Sequence, residues 1–420
     1  MLLDRQLFAE ILAGFSFGYP FVMSWYWMTG GVLFLLLRER REPLPGNPPP
    51  LPEYPMVSIL LPCFNEEDQA EETFAALRQI DYPNFEIIAI NDGSRDNTAA
   101  ILDAMVLRMP TLRVVHLAQN QGKSTALNTG ALVARGEILV GIDGDALLDP
   151  HALTWFVRRF QADAALGALT GNPRIRNRGS ILGRLQVGEF CSVVGLIKRA
   201  QSTYGSLFTV SGVICAFRKR ALQDAGWWSA AALTDDVDVT WRIQLAGWKV
   251  TFEPKALCWI LMPETLMGLW RQRLRWAEGG LQSVLHATPV MLRRGRWHLF
   301  PIWANYIVSI VWAYTMMFGL VLGIVSALLP TLTGGPLGFG LLPQWWGTLL
   351  AVTYLLQSAV SVALDDRFEK GLANSLFWVI WYPLVFWLLQ TFTAVAAVPR
   401  ALRRPGNVRG TWVSPDRGLR

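Results

Sequence analysis

"ILVGIDGDALLDP", residues 138–150, begins as an uninterrupted apolar run and then places two carboxylates, Asp143 and Asp145, on either side of Gly144. A run without polar alternation suits a strand buried on both faces, as in a parallel sheet covered by helices. Comparable β-rich runs at 57–61, 85–90 and 113–117 are separated by helix-like stretches such as 68–79 and 98–108. This alternation predicts an α/β domain with a mostly parallel sheet, and in such sheets ligands lie beyond the carboxyl ends of the strands.

Three strand ends carry polar signatures at that edge: "PCFNEE" (62–67), "NDGSRDNT" (91–98) and the 138–150 stretch itself. Each is readable as an ordinary turn, because Asn, Asp, Gly and Ser are turn residues. Asp143 and Asp145 also suit a hard divalent cation shared with diphosphate oxygens. Lys123, in "NQGKSTALNTG" (120–130), is a second positive charge within reach of such a diphosphate. The segment is not a GxxxxGK[ST] phosphate loop, since Gln119, Asn120 and Gln121 precede Gly122. "LTDDVDVTW" (233–241) crowds three aspartates into four positions. Read as helix, Asp238 points ~200° round from Asp236, which makes it a helix-face carboxylate.

The whole chain is too apolar for an ordinary soluble protein: 52% of its 420 residues are hydrophobic and only 17% are charged. Apolar runs at 11–37, 302–330, 344–364 and 371–398 each reach the ~20 residues a spanning helix needs, and all four read as membrane-embedded. The first ends in Arg38, Arg40 and Arg41, the basic flank of an anchor rather than a cleavage site. It reads as one tilted span, or as an interfacial helix and a span broken at Gly18 and Pro20. The net charge of +6 follows from arginines beside the membrane segments and in the tail, so it implies an anionic lipid surface and no nucleic acid. Four isolated cysteines and four scattered histidines predict reduced thiols and no zinc site. Seven prolines in residues 42–55 make a semi-rigid linker before the only polar block large enough for a catalytic domain.

Asp92 in "NDGS", Asp143-Gly144-Asp145, Thr234-Asp235-Asp236 and "QRLRW" (272–276), in that order and followed by membrane helices, resemble the processive family-2 inverting glycosyltransferases. That group includes cellulose, chitin and hyaluronan synthases. The longer stretches "HLAQNQGK", "IDGDALLD", "TGNPRIRN", "GLIKRAQ", "FTVSG", "ALCWILMPETL" and "WVSPDRG" are similar to the branch that builds the β-1,6-linked poly-N-acetylglucosamine of bacterial biofilms. The resemblance implies an α/β catalytic domain of the GT-A type with flanking transmembrane α-helices. It divides the chain into an N-terminal membrane segment (1–41), the linker (42–55), a cytoplasmic catalytic domain (56–263), interfacial helices with the QxxRW motif (264–300), C-terminal transmembrane helices (301–398) and a basic tail (399–420).

Site roles follow from the same resemblance. Asp236 takes the place of the general base, and Asp235 stands beside it where Glu is usual, one methylene shorter. Asp92, Lys123, Asp143, Asp145, Gln272, Arg275 and Trp276 fall on the donor side, with Asp143 and Asp145 as ligands of Mg²⁺ or Mn²⁺. Ser211, Gly212 and Trp276 fall on the acceptor side, and the arginines of residues 170–179 near the donor sugar. Trp303 and Trp312 are candidates for lining a sugar path or for a membrane-interface belt. The implied reaction polymerises N-acetylglucosamine from UDP-N-acetylglucosamine in a multi-pass protein of the bacterial inner membrane. A small membrane partner subunit and cyclic di-GMP control are implied too. Other readings are a hyaluronan, chitin or cellulose type of synthase, transfer onto a lipid phosphate, and a degenerate domain serving as a scaffold.

Overall fold

The computed structural model describes residues 2–329, 345–380 and 388–404. Its centre is one eight-stranded sheet built from β1 (Val57–Cys63), β2 (Phe85–Asn91), β3 (Leu112–His116), β4 (Ile138–Ile142), β5 (Leu147–Leu148), β6 (Leu166–Ile175), β7 (Ile214–Arg218) and β8 (Lys249–Ile260). The spatial order is β3-β2-β1-β4-β7-β6-β8-β5. The first four strands are mutually parallel, whereas β7 runs antiparallel to both β4 and β6, so the sheet is mixed. Alternate residues of the apolar runs feed two cores. Val57, Ile59, Ile87, Ala89, Ile138 and Val140 point into one, and Leu60, Ile88, Ile90 and Leu139 into the other. Two-sided burial is the reason these strands carry no polar alternation.

The helices are α1 (Leu2–Phe34), α2 (Ala70–Leu77), α3 (Thr98–Val106), α4 (Lys123–Val133), α5 (Ala152–Ala162), α6 (Ile181–Phe190), α7 (Ile197–Thr203), α8 (Lys219–Asp224), α9 (Asp235–Leu245), α10 (Leu266–Arg293), α11 (Phe300–Leu328), α12 (Trp345–Asp365), α13 (Leu376–Val379) and α14 (Leu388–Arg403). Gly18 and Pro20 do not break α1. It passes through both and continues as a π-helical turn, Leu35–Glu39. Among the described residues three helices are long and apolar enough to cross a membrane: Glu10–Glu39, Trp297–Leu328 and Trp345–Asp365. The fourth apolar run is not one described helix; it supplies α13 and α14, and residues 381–387 lie outside the described residues, as does most of the basic tail. α14 packs along α10.

The proline-rich linker is docked. Glu42 accepts hydrogen bonds from Arg158 at 3.1 Å, Arg159 at 2.8 Å and the Lys255 ammonium, while the Trp155 indole donates to the carbonyl of Pro45 at 2.9 Å. A buried ionic network ties the sheet to the membrane helices. Arg199 on α7 bridges Glu39 (2.8 Å) and Asp365 at the end of α12 (2.7 Å), and Arg174 on β6 meets the same Asp365 (2.7 Å) and Glu369 (2.9 Å). Arg178 also pairs with Glu369, and Arg176 with Glu72. The arginines of residues 170–179 thus pair with the membrane-helix junction and with α2. Trp303 and Trp312 are likewise packing residues. Their indole N–H groups donate to Thr288 Oγ1 (2.9 Å) and to the Ser16 carbonyl (2.8 Å), holding α11 against α10 and α1.

Candidate active site

The site forms at the carboxyl ends of β2 and β4, where the β2 turn, the N-terminus of α4, the β4 turn, the loop before β7 and the N-terminus of α9 converge. Gly93 permits the first of these contacts: its φ is +66°, and a Cβ there would sit 2.5–2.6 Å from the backbone of Gln119 and Asn120. The β2 turn can thus lie flat on the loop that carries Lys123. Asp92 cements the same junction. It is fully buried, and its two carboxylate oxygens accept the backbone N–H groups of Gln121 and Gly122, each at 2.8 Å. Both carboxylate oxygens of Asp92 thus act on the loop that carries Lys123.

Lys123, held in this way at the start of α4, donates to Asp143 Oδ1 and to the carbonyl of Gly212 at 3.2 Å. Burial works against its ammonium, but the fields of Asp143, Asp235 and Asp236 more than offset it, so its pKa stands above the ordinary lysine value. One cation therefore sits among carboxylates from β4 and α9 and touches the loop that bears Ser211 and Gly212. Asp143 is a quarter exposed and Asp145 is buried. Their turn is braced from behind by Thr73 on α2, whose hydroxyl donates to the Gly144 carbonyl at 2.8 Å. Among the described residues no group of three acidic, His or Cys side chains gathers to hold a metal. Two hard carboxylates with one of them open fit a divalent cation that draws its other ligands from diphosphate and water.

Asp236 lies in the first turn of α9, half-buried, with Oδ1 accepting the Val237 N–H at 2.9 Å. Its Oδ2 faces the Gly212 N–H at 3.4 Å. Burial, and then the charge of Asp235, raise its pKa above the usual carboxylate range, against the pull of Lys123 and Arg275. Asp238, two residues on, is taken by Arg242 at 2.6–2.8 Å, the helix-face role its phase on the helix predicts.

α10 brings the QxxRW motif to Asp236 by close packing. Gly279 faces the side chain of Thr234, the residue before Asp235, so closely that a Cβ would collide with it. Gln272 has a buried Oε1 with no hydrogen-bond partner among the described residues, an acceptor left for a ligand. Arg275 and Trp276 are exposed toward the site's mouth. Behind Trp276 stands a pair that the motif does not spell out: Arg273 lies over the indole at 4.4 Å and donates to the buried Glu189 of α6 at 2.8 Å. The Arg273–Glu189 pair thus backs one face of the Trp276 ring. A second residue that the motifs do not supply is Lys198, beneath Ser211. Its sequence signals are a lysine directly after the apolar run "VVGLI" and its place in the "GLIKRAQ" stretch.

Residues 54–279 match the family model described as glycosyltransferase-like family 2. The poly-beta-1,6-N-acetyl-D-glucosamine synthase of Staphylococcus aureus (strain MSSA476) is 38% identical over 401 residues, 95% of this chain and 97% of that protein. The enzyme of the same name from Staphylococcus epidermidis (strain RP62A) is 36% identical over 407 residues, again 95% of this chain and 97% of its own length. Among solved structures, a mannosyltransferase from Pyrobaculum calidifontis, in complex with GDP-Man and Mn²⁺, superposes with a TM-score of 0.62. It is 21% identical and covers 94% of this chain and 98% of its own, a likeness of fold.

Proposed function

The chain belongs to glycosyltransferase family 2, and from that premise we propose that it polymerises N-acetylglucosamine from UDP-N-acetylglucosamine into a β-1,6-linked chain at a membrane. Identity of 38% along 95% of the chain supports the donor and the linkage. The observation that carries the chemistry is the convergence on Gly212 of Asp236, which faces its N–H, and of Lys123, which donates to its carbonyl and to Asp143.

In this reading the 6-hydroxyl of the terminal sugar lies on the Ser211–Gly212 loop with its proton toward Asp236 Oδ2. A carboxylate with a raised pKa is a better proton acceptor near neutral pH than an ordinary aspartate. Asp235 keeps negative charge beside the base and so keeps its pKa up. Lys123 and Arg275 bring positive charge to the departing diphosphate, and Gln272 offers its unpaired amide oxygen to the donor. Asp143 and Asp145 would hold Mg²⁺ or Mn²⁺, which supplies Lewis-acid neutralisation of the diphosphate when bound. An inverting displacement needs the base and the leaving-group charges on opposite sides of the anomeric carbon, the roles this reading gives to Asp236 and to the Asp143/Asp145 cation. Trp276, backed by Arg273, forms the platform on which the acceptor end stacks, so the product of one transfer becomes the acceptor of the next.

The expected division into linker, catalytic domain (56–263), QxxRW helices (264–300) and membrane helices belongs to this proposal. So does placement in a bacterial inner membrane with the catalytic domain on the cytoplasmic side, supported by Arg38, Arg40 and Arg41 beside the first span. A small membrane partner and cyclic di-GMP control remain part of it as well: loss of the nucleotide response on removing the partner supports them, and a full response by this chain alone refutes them.

The test is UDP release by the chain in nanodiscs with Mg²⁺ or Mn²⁺, across a panel of UDP-sugars, with the polymer treated by a β-1,6-specific hexosaminidase. Turnover confined to UDP-N-acetylglucosamine with a digestible product is the expected result. Another donor, or a resistant product, transfers the reading to a hyaluronan, chitin or cellulose type of synthase.

A further inference from the structure

Lys198, the second residue of α7, is a buried cation that the mechanism above does not use. Its ammonium donates to the Ser211 hydroxyl at 2.8 Å, the Thr209 carbonyl at 3.0 Å and the Thr170 hydroxyl at 3.3 Å. An ammonium has three hydrogens, so none is left for a ligand. Among the described residues it makes no ion pair, and burial, only partly offset by the field of Asp236, pushes its pKa down to about 7. A polar amine buried without a counter-ion needs a reason other than stability, because an apolar side chain of equal length carries no desolvation penalty.

The reason lies in what the three acceptors belong to. Thr170 Oγ1, on β6, also accepts the Ser211 N–H at 2.8 Å. The Val210 N–H goes to Thr240 Oγ1 at 2.9 Å, and that hydroxyl donates to the Asp236 carbonyl at 2.6 Å. The segment from Thr209 to Gly212 is thus pinned residue by residue, from α7, β6 and α9, with Gly212 resting between Lys123 and Asp236. Among the described residues, Lys198 is the one side chain that grips it at two residues at once.

We propose that Lys198 is a positioning residue of the transfer reaction: it locks the Thr209–Gly212 loop against Asp236, so that the bound sugar hydroxyl and not water receives the transferred unit. The inference rests on the proposed roles of Asp236 and of the Ser211–Gly212 loop. The residues assigned to the donor, Lys123, Asp143 and Asp145, are not among the hydrogen-bond partners of Lys198.

The experiment measures two quantities in one reaction of the full chain in nanodiscs: UDP released, and N-acetylglucosamine incorporated into polymer. The unmodified chain establishes whether the parent reading holds; absence of polymer there defeats that reading rather than this one. In Lys198→Met, which keeps length and removes the charge, incorporation per UDP released is expected to fall about tenfold, the scale of lost reactant positioning. UDP affinity by calorimetry stays within about twofold, since the donor contacts are intact. Release and incorporation that fall together, or that both stay unchanged, overturn the proposal. Should Lys198→Met fail to fold, Thr170→Val removes one acceptor of Lys198 and of the Ser211 N–H at equal volume. An undiminished incorporation ratio in that folded variant overturns the proposal equally.

Discussion

Asp92→Asn separates a loop-positioning role from direct nucleotide binding. In the structure the carboxylate accepts two N–H groups, from Gln121 and Gly122, at 2.8 Å each. An amide of the same shape keeps one acceptor and turns an NH₂ toward the other N–H. The loss is one charge-assisted hydrogen bond in a fully buried site, about 1.5–3 kcal/mol. At about 1.4 kcal/mol per tenfold, that displaces the Lys123 loop enough to lower kcat/KM for the donor by roughly 10- to 150-fold. If Asp92 acts only by holding Lys123, its effect vanishes once Lys123 is gone. Asp92→Asn introduced into Lys123→Met should then change kcat/KM by less than about twofold, whereas independent contacts would add in full. The assay is the four-member cycle of steady-state UDP release, with UDP affinity measured on each variant. Additive effects in the cycle, together with a loss of UDP affinity confined to Asp92→Asn, would refute the reasoning and restore Asp92 to the nucleotide.

Three further outcomes follow from the geometry. Asp236→Asn should lower turnover by about 10²–10⁴-fold while UDP affinity holds, and equal turnover would remove the base assignment. Because burial and Asp235 raise the Asp236 pKa, activity falls with acid from a midpoint above the ordinary carboxylate value of ~4. The same group binds its proton more tightly folded than unfolded, so its contribution to stability is present at low pH and is lost as pH rises through the folded pKa. Activity and this share of stability thus move in opposite directions, which paired rate and thermal-unfolding profiles of the chain and Asp236→Asn would reveal. Chelation should abolish UDP release, with recovery on adding Mg²⁺ or Mn²⁺, and Asp143→Asn should require more metal for half-recovery. Arg199→Met leaves Glu39 and Asp365 buried with one fewer cation and should cost about 3–5 kcal/mol in unfolding, seen as an earlier thermal transition in detergent with unchanged UDP affinity in the folded fraction.

What the sequence made legible is what is local. Two-sided burial gives uninterrupted runs, so β1, β2, β3 and β4 were readable to within a residue or two. Asp143, Asp145 and Asp236 stand at a strand end and a helix start, where short spacing carries the message. Asp92 was legible as a position but its loop partners were not, because the N–H groups of Gln121 and Gly122 are backbone atoms 29 and 30 residues away. The ion pairs of Arg174 and Arg178 were illegible for the same reason on a larger scale: their counter-ions on and after α12 lie 191 to 195 residues along the chain.

That separation also explains how the molecule works as one piece. α7 carries Lys198, which holds the acceptor loop, and next to it Arg199, which holds Glu39 and Asp365 at the ends of two candidate spans. Adjacent residues on a short helix point to different neighbours, one into the site and one into the membrane junction. A displacement of the spans relative to the sheet must either break the Arg199 pairs, at the cost of exposed or unpaired charge, or carry α7 with it. The second course moves Lys198, and with it the Ser211–Gly212 loop. The acceptor end of the site is therefore referenced to the membrane helices, whereas Lys123 and Asp143 are referenced to the parallel half of the sheet. Under the proposed function, the loop that receives the acceptor is tied through α7 to the spans as well as to β6 and α9, which links the growing end of the chain to the membrane helices.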